Sequence, residues 1–149
     1  MRKGCSKGFT LIQLSVVISI ISILITTGVR ELTKVRNRAR VIAAQSDVTT
    51  MKTAIALFEA EHNSYKVGTG AYTGVDGYES FKVNLKDAYG VSDVSFPDTI
   101  NFYPTSFEYT GDDLSFMIKV KAKDSKTTIV LATPTQLSLA SSSQEPISK

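Results

Sequence analysis

The sequence predicts an α+β protein: one long N-terminal helix, its first half embedded in a membrane, packed on a small antiparallel β-sheet. Three observations predict it. An apolar run extends from Phe9 to about Val29, directly behind a short basic leader. An amphipathic stripe follows, with no proline or glycine between Leu32 and His62. The last third alternates apolar and polar residues in short segments separated by turn residues.

The apolar run holds roughly 21 residues, or about 31 Å at the helical rise, which matches a hydrocarbon core of about 30 Å. A secretory signal has an apolar region of about 7 to 15 residues ending in a small-residue cleavage site. This run is longer, and Thr26-Thr27-Gly28-Val29-Arg30-Glu31-Leu32 offers no such site. A lipoprotein cysteine must follow the apolar stretch, whereas Cys5 precedes it. The expected division is a leader over residues 1–8, a membrane span over 9–29, a head over 30–139 and a disordered, Ser-rich tail over 140–149.

The helix is expected to continue past the span. Ala44, Val48, Met51, Ile55 and Phe58 recur at steps of four, three, four and three, which gathers them on one helical face. Ala54 and Leu57 widen the stripe. The result is one helix of roughly 50 residues, or about 75 Å, ended by Asn63-Ser64. Gly68, Gly70, Gly74 and Gly77 then mark a loop. Residues 78–90 suit a short helix, with Phe81, Leu85 and Ala88 on one side. Pro97 and Pro104 confine the next segment to loop or short edge structure.

Four strands are expected in the head. Ser106–Thr110 places Phe107 and Tyr109 on one face, and Gly111-Asp112-Asp113 reads as a turn. Leu114–Lys123 places Phe116, Ile118, Val120 and Ala122 opposite Met117, Lys119, Lys121 and Lys123. After an Asp124-Ser125 turn come Thr127–Thr133 and Gln136–Leu139. One apolar sheet face against the helix stripe gives a two-layer head.

The junction Lys7-Gly8-Phe9-Thr10-Leu11-Ile12, with Leu14 two residues on, resembles the class III signal of bacterial type IV pilins and type II secretion pseudopilins. The resemblance implies a pilin-like fold and a filament subunit without enzyme activity. A prepilin peptidase would cut after Gly8 and methylate Phe9. It implies, as partners, other pilin or pseudopilin subunits in a homo- or hetero-polymer, the inner-membrane assembly platform and membrane lipids. The leader would be cytoplasmic and the head periplasmic or extracellular. Two residues depart from the family pattern. Gln13 stands where a glutamate usually pairs with a neighbouring subunit's amine; an amide hydrogen-bonds but cannot neutralise an ammonium. That departure suggests a minor or tip subunit, or else a divergent major subunit that tolerates the amide. Arg30 stands where many major pilins have a proline. A signal anchor that merely begins Gly-Phe-Thr-Leu-Ile is the plain alternative.

Within the span, Ser15, Ser19, Ser22 and Thr26 fall on one face. Small hydroxyl residues suit close helix packing in lipid, so the stripe reads as an assembly seam; alternatively, the hydroxyls bond back to their own helix. Beyond the span, Arg30, Lys34, Arg36, Arg38 and Arg40 form a basic collar opposed only by Glu31. The positive-inside rule, applied to the collar alone, would put the head in the cytoplasm. The resemblance opposes that orientation and leaves the collar to contact anionic lipid headgroups or acidic heads of neighbours. A merely solvated helix face is the plain reading.

Net charge is +3, with Arg2, Lys3 and Lys7 in the leader. Without them the chain is balanced, and from Val41 onward acidic side chains outnumber basic ones. A head of this charge argues against nucleic acid. Lys119, Lys121 and Lys123 are the only candidate stripe for a DNA-uptake subunit. A non-polymerising anchored binding protein is the third reading. No cofactor, metal or catalytic constellation stands out: there is one histidine, His62, no phosphate-binding loop and no H-E-x-x-H. Asp112 and Asp113 fall short of the six to eight oxygens calcium takes. Cys5 is the sole cysteine, so a chain cut after Gly8 contains no disulfide.

Overall fold

In the computed structural model the described residues are 9–89, 96 and 100–140. Helix α1 runs from Leu11 to His62, 52 residues without a break. It passes through Gly28, whose helical cost of about 1 kcal/mol relative to alanine does not interrupt it. Asn63 closes it in the left-handed conformation, φ 54, and donates its N–H to the Glu59 carbonyl at 2.7 Å. Asparagine tolerates that conformation better than most residues. The chain divides into two units, Met1–Arg36 and Asn37–Lys149.

In the first unit the apolar side chains of α1, Leu11 to Val29, are exposed wherever described. The stretch is long and apolar enough to cross a membrane, and none of that window is buried in protein. An apolar surface this continuous is stable only in a non-aqueous environment or against other helices. The coarse expectation of a single membrane anchor therefore agrees with the structure.

The second unit is an antiparallel sheet of five strands in the order β1 (Ala71–Thr73), β2 (Glu108–Gly111), β3 (Phe116–Lys121), β4 (Ile129–Ala132) and β5 (Leu137–Ala140). Registers align Tyr72 with Tyr109, Tyr109 with Ile118, Ile118 with Ala132 and Ala132 with Leu137. Because strands alternate faces, this row and its neighbour Val120–Val130–Leu139 lie on one side. Ala44, Val48, Met51, Ile55 and Phe58 of α1 join Phe116, Ile118 and Val120 in one buried cluster, as the two periodicities predict. The cover stops short of β5: Leu137 and Leu139 remain 39% and 49% exposed.

Several boundaries differ from the expectation. β1 lies in the predicted Gly loop. Gly70 at φ +80 and Gly74 at φ +72 turn the chain on either side of it, and three residues suffice because the strand pairs only with β2. Helix α2 runs Gly74–Tyr89, not from residue 78, with Phe81 and Leu85 fully buried and Ala88 packed against the core. Gly77 is within this helix; a Cβ there would sit 3.1 Å from the Tyr72 backbone. Leu57 is exposed, since at 100° per residue it falls about 140° from the stripe's centre. Gly111 ends β2 opposite Phe116, and the turn follows it. Phe107 is buried but precedes β2, after a single 3-10 turn at Pro104–Ser106. The predicted third strand keeps only Ile129–Ala132, because Thr127 takes φ 48. Ala140 belongs to β5; the rest of the expected tail, like Pro97, lies outside the described residues.

Candidate functional site

Phe9 is 82% exposed and precedes α1. Its expected partner in processing, Gly8, lies outside the described residues. Thr10 stands at the helix entrance, and its N–H donates to the Gln13 Oε1 at 3.1 Å. Thr10-x-x-Gln13 is the spacing at which a side chain three residues into a helix reaches back to the first free N–H. Helix starts leave several such donors, and lipid leaves them nothing to bond. Gln13 therefore serves its own helix. Phe9, Ile12, Gln13, Val16 and Val17 border one shallow groove, which brings the expected methylation position, Phe9, and the expected assembly position, Gln13, together.

Each member of the hydroxyl stripe bonds within the helix. Ser15 donates to the Ile12 carbonyl at 2.9 Å, and Ser19, Ser22 and Thr26 each donate at 2.8 Å to the carbonyl four residues back. The single chain thus realises the back-bonded alternative. The small side chains still leave a narrow face, and each oxygen keeps acceptor capacity.

The collar is not uniform. Lys34 pairs with Glu31 at 2.7 Å, both well exposed, a contact worth little in water. Arg30, Arg36 and Arg38 are exposed and make no ion pair among the described residues. Arg40 reaches the described loops of the head, donating from Nη1 to the Lys123 carbonyl at 3.1 Å. Of the lysine stripe, Lys119 pairs with Glu108 at 3.1 Å. Lys123 lies beyond β3 and donates from Nζ to the Ile100 carbonyl at 2.9 Å. Lys121 makes no ion pair among the described residues.

The burial of three polar residues escaped the sequence reading. Asp47 sits on the buried face of α1, 6% exposed, and its Oδ2 accepts the Asn101 backbone N–H at 2.7 Å and the Asn101 amide at 3.2 Å. Its signal was present: three residues after Ala44 and four before Met51, it falls within the apolar stripe. Asp124, also 6% exposed, accepts the Thr128 N–H and hydroxyl, both at 2.8 Å, and fastens the β3–β4 turn. Tyr78 is 2% exposed, and its hydroxyl has no hydrogen-bond partner among the described residues. Burial, then the nearby Asp47 carboxylate and Glu79, push its pKa up to about 12. Burial likewise raises Tyr109, whose hydroxyl donates to the Tyr65 carbonyl.

Asp112 is held below the usual carboxylate range by the Leu114 and Ser115 N–H groups, which bond it at 3.0 and 2.8 Å. Asp113 accepts the Ser64 hydroxyl at 2.8 Å. Asp112 therefore holds the β2–β3 turn, and Asp113 ties that turn to the residues just after α1. His62 stacks on Phe58 at 4.2 Å, with its Nδ1 3.1 Å from the Phe58 carbonyl. No described group of three or more acidic, histidine or cysteine side chains is arranged to hold a metal ion. No protein-family model matches the chain, and no curated protein matches it significantly.

Proposed function

We propose that the chain is a structural subunit of a type IV pilus-like or type II secretion pseudopilus filament, with a pilin-like fold, matured by a prepilin peptidase. One observation carries the reading. The Gly8-Phe9 junction leads directly into an uninterrupted helix, Leu11–His62, that begins as bare apolar surface and ends as the core of an α+β head. A protein needs such a helix when one half is held first by lipid and then by like helices. The compartment that follows is the bacterial inner membrane, with the leader cytoplasmic and the head outside it, before transfer to an extracytoplasmic filament.

Gln13 favours a minor or tip position over the bulk subunit. Its side-chain oxygen already holds the Thr10 N–H, and an amide offers a neighbour's amine no charge. The DNA-uptake reading is weaker, because two of its three lysines are occupied within the head.

Intact mass of the protein from its native host tests the proposal. The expected species begins at N-methylated Phe9. A mature protein that retains Met1 or Arg2 refutes processing and favours the plain signal anchor.

A further inference from the structure

The segment Ile100–Tyr103 runs beside the end of β3 and the residues after it. Tyr103 N–H donates to the Lys121 carbonyl at 2.9 Å, Lys123 N–H donates to the Asn101 carbonyl at 3.2 Å, and Phe102 bridges to Ala122. Arg40 of α1 closes the third side. Together Arg40, Ile100, Asn101, Tyr103 and Lys123 line a cavity of about 330 Å³. It lies wholly within the second unit.

We propose that this cavity binds a phosphate ester. Two cations face it, and each is fixed by a backbone carbonyl instead of a carboxylate: Arg40 by Lys123 and Lys123 by Ile100. Neither makes an ion pair among the described residues. A guanidinium has five N–H donors and an ammonium three, so most of their donors remain for a ligand. Tyr103 is a third lining residue, and its side chain carries a hydroxyl. Two described acids are close in the chain or by contact, and both are already engaged. Asp47 is buried and accepts the Asn101 backbone N–H and side-chain amide, and Asp124, next to Lys123, is buried and accepts the Thr128 N–H and hydroxyl. Asp47 orders the wall, and it draws the Asn101 amide away from the ligand.

A planar fork beside a point charge suits an anion with several acceptor oxygens. The lining includes Ile100 and Tyr103 beside the two cations, so carbon as well as charge borders the cavity, which suits an organic ester better than a bare ion. The ester has two natural sources, a soluble metabolite or the headgroup of an anionic phospholipid. The inference does not depend on the filament reading.

The test uses the full chain in a non-ionic detergent, with glycerol phosphate as probe and titration calorimetry as readout. Wild type is expected to bind, and affinity is expected to fall as salt rises, because the contacts are ionic. The double variant Arg40→Gln, Lys123→Gln should bind about tenfold or more weakly, since each lost charge-assisted bond is worth at least that order. Lys86→Gln, an exposed site on α2, should bind like wild type. If the double variant does not fold, Arg40→Lys with Tyr103→Phe replaces it. That pair keeps the charge and the ring while removing the fork and the hydroxyl, and it should still weaken binding. Native mass spectrometry from nanodiscs of phosphatidylcholine with phosphatidylglycerol separates the sources. Retained phosphatidylglycerol that is lost in the variants assigns the headgroup; glycerol phosphate binding without it assigns a soluble ester. Absence of binding to either, or binding that the Arg40, Lys123 and Tyr103 variants leave unchanged, overturns the proposal.

Discussion

The Asp47 carboxylate, buried on the inner face of α1, holds Asn101 by both its backbone and side-chain N–H groups. The two residues are 54 positions apart. The bond ties the end of a loop to the middle of the long helix, beside the Arg40–Lys123 cavity. A buried carboxylate is stable only when such donors replace its water.

Asp47→Ala is therefore expected to destabilise the head by about 1 to 3 kcal/mol, the cost of leaving buried donors unpaired. Asp47→Asn keeps the shape and one acceptor, and should cost less. Urea unfolding followed by circular dichroism measures both. Equal stability of Asp47→Ala and wild type would remove this bond from the account.

Ile118 is fully buried in the centre of the sheet, in the same cluster as Met51, Ile55 and Phe58. Ile118→Ala should cost about 2 to 5 kcal/mol, as large-to-small core changes do. A fragment starting at Asn37 contains every member of that cluster and is expected to fold cooperatively without the span. A broad, non-cooperative melt of the fragment would show that the first unit contributes to the head's stability.

The head should lose stability at high pH. Tyr78 is raised to about 12 from an ordinary value of 10.0, and Tyr109 is raised in the same direction. Between those values the folded form keeps a proton that the unfolded form has lost, so stability falls as pH rises. The contribution is intact below about pH 10 and is lost progressively toward pH 12. Tyrosinate absorbance should show two of the six tyrosines ionising only as the fold melts. Tyr78→Phe should move the alkaline transition upward, because its hydroxyl has no hydrogen-bond partner among the described residues to lose.

Gln13→Leu removes the acceptor of the Thr10 N–H. A hydrogen bond worth about 1 kcal/mol predicts roughly fivefold faster amide exchange at Thr10. Exchange at Thr10 in micelles reads this directly, and no acceleration would show that the cap does not hold in lipid. Gln13→Glu keeps an acceptor and adds a charge that is costly in lipid unless paired. If the subunit occupies a tip position, filaments should contain few copies of it, and Gln13→Glu should not raise that number. Stoichiometry in purified filaments decides; finding it as the bulk subunit would end the tip reading and leave the filament reading standing.

The long helix and the central strands were legible because each depends on local periodicity. A step of three or four gathers Ala44, Val48, Met51, Ile55 and Phe58 on a helix face, and a step of two gathers Phe116, Ile118 and Val120 on a strand face, whatever the rest of the chain does. The membrane-length run depends only on composition and length. Tertiary structure decided what depends on partners distant in sequence. β1 is three residues long, too short for any period, and exists because Tyr72 lies opposite Tyr109. Asp47 reads as a polar interruption until Asn101 supplies its donors. Arg40 reads as one of five collar cations until the chain brings Lys123 and Tyr103 beside it. Periodicity records which way a side chain faces; what it meets there depends on chain segments tens of residues away, whose approach no local pattern encodes.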